Sequence, residues 1–255
     1  MLYELTQNRV KLLSNPFLSI IIPAYNEEQR LPNTLEQLLT FLQAQSYQSE
    51  ILIIENASQD DTFQVAKVFA DQYHKDDLPI QVIQEPDQGK GSAVKRGMFM
   101  ASGEYRFMCD ADLSMPVLEI NRFFPPALED IDITIASREA RGAVRYNEPT
   151  YRHLVGRVFN TLIRVLALPD LNDTQCGFKC FRASVAEELF KEMTITGWSF
   201  DVEILYLAQQ RGYRIVEVPI HWYFNPDSRI SVAKDSMQMA LDIFKIRLRG
   251  RQNRV

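Results

Sequence analysis

Tyr105-Arg106-Phe107-Met108-Cys109-Asp110-Ala111-Asp112 has the form of a buried strand that ends in two carboxylates. The apolar part is too short for a helix and lies between Gly103 and Pro116, both chain punctuators. Alternate residues at a strand end point the same way, so Asp110 and Asp112 can meet one hard cation already bridging the phosphates of a nucleotide. A chelated diphosphate is a leaving group. A second Asp-x-Asp, Asp130-Ile131-Asp132, lacks that context and reads as a solvated strand entry.

Outward from this strand, the chain alternates. Phe17 to Ile22 reads as a first strand stopped by Pro23, and Leu31, Leu35, Leu38, Leu39 and Leu42 follow at helical spacing behind Pro32. Glu50 to Ile54 is a second strand. Asp60 or Asp61 can cap a helix carrying Ala66, Phe69, Ala70 and Tyr73, and Ile80 to Ile83 is a third strand. Gly89 and Gly91 open another helix, a further one begins near Pro116, and Ile131 to Ala136 is again a strand. This predicts an α/β fold: one Rossmann-like domain with a mostly parallel central sheet and helices on both faces, its ligands outside the carboxyl ends of the strands. Pro23 to Glu27, Glu55 to Ser58, Asp110 to Ser114 and Ser137-Arg138 all fall at such ends.

The second half is less regular. Tyr151 to Leu168 is a long helical pattern with Leu154, Val155, Val158, Phe159, Leu162, Ile163 and Leu166 along one side, which by pattern alone is a helix packed on the sheet. Asp173 to Phe181 is a loop entering a strand, Ser199 or Asp201 can cap a helix, Arg214 to Val218 is a last strand ended by Pro219, and a final helix spans about Val232 to Leu248.

With 255 residues, 46% of them hydrophobic, the chain can bury a large core, and no Pro/Gly/Ser-rich linker divides it. The expected organisation is an extension over 1–16, one domain over 17–244 and a basic tail over 245–255, where Lys245, Arg247, Arg249, Arg251 and Arg254 stand without an acid. A net charge of -5 argues against a general nucleic-acid binder, while the tail can touch an anionic surface. Cys109, Cys176 and Cys180 cannot all pair, which favours a reducing compartment, and their spacing lacks a second pair for zinc. No apolar stretch has signal-peptide or membrane-spanning form. The expectation is a cytoplasmic protein, soluble or peripheral at the cytoplasmic face of a membrane.

Pro23-Ala24-Tyr25-Asn26-Glu27-Glu28, Glu55-Asn56-Ala57-Ser58, Gly89-Lys90-Gly91, Asp110-Ala111-Asp112 and Ser137-Arg138 fall in an order and spacing that resembles the family 2 glycosyltransferases of GT-A fold. Asp173 to Lys179, Trp198 to Glu203 and Glu217-Val218-Pro219 are similar to the branch of dolichyl-phosphate β-glucosyltransferases and mannose synthases, the former more closely. The resemblance covers about residues 17 to 245. It implies transfer of a hexose, with glucose from UDP the nearest match, from a nucleotide-diphosphate sugar to a polyprenyl phosphate, with Mg2+ or Mn2+ as cofactor. Pro23, Tyr25 and Glu27 would line the nucleoside pocket, with Glu55 and Asn56 at its base-reading edge. Asp110, Ala111 and Asp112 would form the metal and diphosphate site with Lys90 in support, and Arg138 and Arg152 would face the phosphates. Three departures stand out: Glu55-Asn56-Ala57-Ser58 replaces the usual Asp-Asp-Gly-Ser, Ser114 stands where the mannose synthases have Gln, and Asn225 to Arg229 replaces a glycine-containing turn.

A phosphate acceptor is ionised near neutral pH and needs positioning cations, not a base. A hydroxyl acceptor needs a carboxylate to take its proton, for which Asp201 is the leading candidate; Asp201 also reads simply as a helix cap. His221 reads as a packed histidine, and Gly89 to Ser92 is no P-loop, because Gln84 stands where the earlier glycine belongs. Two other classes share such a sheet, a nucleotidyltransferase and a non-catalytic nucleotide-sugar binding domain. The acidic loop after the first strand counts against the former, and the retained carboxylates against the latter.

Overall fold

The computed structural model describes residues 15–226 and the helix 232–252, the latter with side chains for 238–248. Residues 1–14, Arg229 and Arg254, named above, lie outside the described residues, as do the side chains of Arg249 and Arg251.

The alternation predicted for the first half is present. It runs β1 (Leu18–Ala24), α1 (Leu31–Gln43), β2 (Ser49–Glu55), α2 (Thr62–Tyr73), β3 (Ile80–Gln84), α3 (Lys90–Met100) and β4 (Tyr105–Met108). These four strands are parallel in the order β3-β2-β1-β4, Ile20 lying opposite Ile51 and Phe107. Side chains alternate across a strand, and both faces are covered. Ile20, Ile22, Ile51 and Ile53 face one apolar cluster with α1 and α2, while Ile21, Leu52 and Ile54 face a second with α3. Each such fully buried side chain contributes about 1.5–3 kcal/mol. β1 does not stop at Pro23 but runs on to Ala24, since parallel pairing with β2 continues there. Asp61 holds the N-cap position of α2 without a side-chain capping bond, and the acceptor comes from Asp60, whose Oδ1 takes the Thr62 N–H at 3.1 Å.

The second half supplies a 3-10 turn (Val117–Arg122) where a helix was expected, then β5 (Ile133–Ser137), β6 (Val144–Tyr146), α4 (Thr150–Leu166), β7 (Lys179–Arg182), α5 (Ala183–Glu192), α6 (Phe200–Gln210), β8 (Ile215–Pro219), β9 (His221–Tyr223) and α7 (Val232–Gln252). The central sheet has seven strands, β3-β2-β1-β4-β7-β5-β8, with β7 alone antiparallel, between β4 and β5. A small parallel ribbon of β6 and β9, a strand beyond the last one expected, roofs the carboxyl end. His221 on it is exposed, its ring edge-on to Tyr146, rather than packed.

Helix α4 departs most from its pattern. Ile163 is buried and Phe159 and Leu166 pack against the core, but Leu154, Val155 and Val158 of the apolar side, with Tyr151 beside them, are exposed, so the N-terminal half of that side faces away from the sheet. Helix α7 packs beside α4 and α6, with Ile243 and Ile246 buried and Leu241, Phe244 and Leu248 exposed. The basic segment from Lys245 thus begins inside this helix, which continues to Gln252.

Candidate functional site

The carboxyl ends of β1, β2, β4 and β5 open into a cleft of about 750 Å³ that α4, β9 and α7 close from the other side. Pro23, Tyr25, Glu27, Asn56, Lys90, Asp110, Ala111, Asp112, Arg138, Arg152 and Asp201 line it together. Glu55, the remaining predicted site residue, is buried behind the wall: its Oε1 accepts from the Ser58 N–H at 2.6 Å, and Gln84 Nε2 donates to Oε2 at 3.3 Å.

On the β1–β2 side the loops are stitched together. The Asn26 N–H donates to Ser58 Oγ and the Glu27 N–H to Thr62 Oγ1, at 3.0 and 2.6 Å, while the Glu27 carboxylate takes both forks of Arg30 at 2.7 Å each. Asn56 is tied inward: its Nδ2 donates to the carbonyls of Glu85 and Asp87 at 3.0 and 2.8 Å, and its Oδ1 accepts from the Gly89 N–H at 2.9 Å. Both amide hydrogens are therefore engaged in fixing the loop that carries Lys90, and its carbonyl oxygen has one acceptor position left.

The acidic pair follows β4 directly. Thr34 Oγ1, from α1, donates to the Ala111 carbonyl at 2.6 Å and fixes the backbone between the two carboxylates. Lys90 Nζ stands 2.7 Å from Asp110 Oδ1 and 5.5 Å over the Trp198 ring. Burial would lower the Lys90 pKa, but Asp110 and Asp201 outweigh it and hold the ammonium charged. Burial, and then the charge of Asp110, push the Asp112 carboxyl upward, although the Ser114 N–H donates to it at 3.1 Å. Two crowded, partly desolvated carboxylates are what a divalent cation relieves, and their hard oxygens suit Mg2+ or Mn2+. Gly177 also leaves open the space beside Asp110 that a Cβ would fill. Among the described residues no third His, Cys, Asp or Glu completes an all-protein cluster, so the residues fit a cation shared with a diphosphate.

On the other side the charges are largely spent on one another. Arg138 grips Asp173 with its fork at 2.6 and 2.9 Å, and its N–H donates to the same carboxylate at 3.0 Å. Burial would raise Asp173, but Arg138 overrides it and holds the carboxyl at about 2. Arg145 bridges Glu139 and Glu148 at 2.6 and 2.7 Å, and both arginines lie over the face of Trp222. Lys179, wholly buried, stands 2.8 Å from Asp201 Oδ1, off the direction of a hydrogen bond, and donates to the Cys176 carbonyl at 2.6 Å. Asp201 is thus an ion-pair partner in the cleft wall rather than a helix cap; Ser199, the other candidate cap, makes no capping bond either. Burial raises the Asp201 carboxyl, with Lys179 and Lys90 opposing.

Arg152 differs from these cations. It lies 5.4 Å over the Phe224 ring and has no carboxylate partner among the described residues. Beside it Val155 and Phe159 of α4 and Met239 of α7 form an apolar wall of the cleft. The sequence reading missed Asp173, Arg145 and the aromatic pair Trp222 and Phe224 as parts of the site. Asp173 and Arg138 are 35 positions apart, and no local pattern announces such a pair. Glu217, noted above only as part of a family-like tripeptide, accepts from the Asn172 and Asp173 N–H groups at 3.0 and 2.9 Å and so anchors the loop that holds Arg138.

Residues 19–190 match the family model described as "Glycosyl transferase family 2". The dolichyl-phosphate β-glucosyltransferase of Dictyostelium discoideum is 33% identical over 93% of this chain and 76% of its own length, and that of Homo sapiens 30% identical over 91% and 75%. In three dimensions the chain is similar to the glucosyl-3-phosphoglycerate synthase of Mycobacterium tuberculosis, solved with UDP, with a TM-score of 0.64 at 17% identity over 92% of this chain and 80% of that one. The mannosyltransferase PcManGT of Pyrobaculum calidifontis, solved with GDP-Man and Mn2+, gives 0.61 at 17% identity over 92% and 65%. With the family model spanning two thirds of its length, and the acidic pair set at a strand end in a GT-A fold, this chain is a member of glycosyl transferase family 2.

Proposed function

We propose that this glycosyltransferase moves glucose from UDP-glucose to a polyprenyl phosphate of dolichyl type, with inversion at the anomeric carbon, using Mg2+ or Mn2+ held by Asp110 and Asp112. The observation that carries the reading is the division of one cleft. Its β4 end offers two carboxylates, and its α4 end offers Arg152 beside the apolar wall of Val155, Phe159 and Met239. An acceptor with an anionic head and an apolar tail matches the second end. The names of the similar proteins, and the Mn2+ and UDP-glucose bound in a related fold, support the same assignment.

A bound divalent cation stabilises the charge that develops on the leaving diphosphate by several kcal/mol. The chain's own residues do the rest. Pro23 and Tyr25 line the nucleoside end of the cleft, and Lys90 holds Asp110 in place from the α3 terminus. Arg152 takes the acceptor phosphate, whose oxygen attacks the anomeric carbon as the bond to the diphosphate breaks and its electron pair leaves with UDP. Arg138, clamped by Asp173 and lying on Trp222, shapes the wall between donor and acceptor. The acceptor arrives ionised, so Asp201, already paired with Lys179, need take no proton.

Among the described residues no helix is long and apolar enough to cross a membrane. In this reading the acceptor's tail brings the protein to a bilayer surface through the exposed residues of α4 and the neighbouring Leu241, Phe244 and Leu248 of α7, and the basic C-terminal sequence adds attraction to anionic headgroups. Three free buried thiols suit the cytoplasmic face of that membrane. The deciding experiment incubates the protein with a panel of labelled nucleotide sugars, Mg2+ or Mn2+ and short polyprenyl phosphates, and identifies the lipid product by mass. A glucosyl-phosphoryl lipid formed from UDP-glucose is the expected product. Transfer only to sugar hydroxyls would replace this reading with a glycan-extending one, and nucleotide-sugar binding without transfer to any acceptor would leave a binding domain.

A further inference from the structure

We propose that Gly177 is a positioning residue for the metal-side carboxylate Asp110; this deepens the metal site proposed above and rests on it. Asp110 is held on one side only, by Lys90 at 2.7 Å on Oδ1. Its other oxygen lies against the backbone of Gly177: a Cβ built on that residue would stand 2.0 Å from Asp110 Oδ2, 2.5 Å from its Cγ and 3.1 Å from its Cβ. Real Cβ atoms do not come that close, so any side chain at 177 must displace the carboxylate or the loop. The loop has little freedom to move. Asp173 near its start is bound to Arg138 and Glu217, the Cys176 carbonyl takes the buried Lys179 ammonium, and Phe178 and, in the strand β7 that follows, Cys180 are core residues. The carboxylate is the softer partner. One methyl at position 177 therefore turns Asp110 away from its place beside Asp112, although Gly177 touches neither sugar nor nucleotide.

The requirement at 177 is for space and not for an unusual backbone, because Gly177 does not lie in the left-handed region, unlike Gly89, Gly142 and Gly212. Removing the carboxylate should consequently remove the penalty of the methyl. The test compares Gly177→Ala, Asp110→Ala and the double variant in two measurements, with Asp130→Asn as the surface control. Mn2+ binding is followed by the loss of its free EPR signal, with and without UDP. Asp110→Ala and Gly177→Ala should each weaken it by about tenfold or more, the range for a residue supporting a metal ligand, and Asp130→Asn should not. Melting temperature without metal is the second measurement. Gly177→Ala should lower it by at least about 3 °C in the wild-type background and by less than half of that in the Asp110→Ala background. If Gly177→Ala alone does not fold, a double variant that folds is the same result in stronger form. Wild-type Mn2+ affinity in a folded Gly177→Ala variant, or a melting penalty that persists in full without the Asp110 carboxylate, overturns the proposal. Wild-type Mn2+ affinity in Asp110→Ala overturns the metal reading itself, while the melting comparison still decides whether Gly177 seats that side chain.

Discussion

The two sides of the cleft are built on different principles. From β1 to β4, most site residues sit where a parallel strand ends, and hydrogen bonds from neighbouring loops and helices fix the backbone there, as between Asn26 and Ser58 or Thr34 of α1 and Ala111, with one ion pair, Lys90 to Asp110, among them. From β5 onward the strands mix directions, and the site is held by ion pairs, two of them between distant segments, Arg138 with Asp173 and Lys179 with Asp201, and others local, Arg145 with Glu139 and Glu148. The first side is placed mainly by backbone bonds and the second mainly by charges paired with one another. Arg152 stands out on the second as a cation with no carboxylate partner among the described residues, which is why we propose it for the acceptor phosphate.

The sharpest way to break this contrast is to remove one partner of a buried pair. Asp173→Asn should leave the Arg138 fork uncompensated and destabilise the fold by about 3–5 kcal/mol, a fall in melting temperature on the order of 10 °C. The same pair sets an acid limit. Asp173 is held at about 2 against an ordinary 3.8, so its contribution is complete above about pH 4 and disappears as the pH falls toward 2. Acid titration of the melting temperature should show this component in the wild type and not in the variant. A variant as stable as the wild type would mean that the second side does not rest on its ion pairs.

On the first side, Asp112→Asn should spare the fold and cost turnover about a hundredfold or more, as when a stabiliser of transition-state charge is lost, with Asp130→Asn unchanged. Normal turnover in Mn2+ would remove the acidic pair from the chemistry. Arg152→Ala should lower kcat/KM for a polyprenyl phosphate by about 10- to 100-fold, the worth of one charged hydrogen bond, while leaving the donor KM nearly unchanged. An equal loss on the donor side would show that Arg152 does not belong to the acceptor end.

Two smaller effects refine the division. Leu154→Ser with Val158→Ser removes exposed apolar surface from α4 and should weaken binding to anionic vesicles by about tenfold, with activity on a short water-soluble acceptor retained. Binding that is unaffected by this change and by salt would point to a membrane partner protein instead of the lipid surface. Asp201→Asn should lower the melting temperature by leaving the buried Lys179 unpaired, and the folded variant should lose less than about tenfold in turnover on a lipid phosphate, against the 10²–10⁴ expected when a general base is removed. A larger loss, with a rate that follows one ionisation near neutrality, would make Asp201 a base and the acceptor a hydroxyl.

The sequence alone determined the strand and helix succession from Phe17 to Asp112, and with it the place where ligands gather. Both follow from the local pattern, because a strand buried on both faces shows as a short unbroken apolar run and a helix buried on one face repeats its apolar residues every three to four. The acidic pair and Ser137-Arg138 were legible for the same reason, each being a short motif at a predicted strand end, and Gly89-Lys90-Gly91 was legible as one at a predicted helix start. Only the tertiary structure decided what those motifs touch. Asn56 reads as a base-contacting residue and spends its amide on the Glu85 to Gly89 loop; Asp201 reads as a cap or a base and pairs with Lys179; the apolar side of α4 reads as core and is exposed at Leu154, Val155 and Val158. Each of these outcomes joins residues or surfaces far apart in sequence. A side chain's own identity fixes what it can bind, but which partner lies within about 3 Å is set by how the strands are ordered, and that ordering leaves no trace in the local pattern.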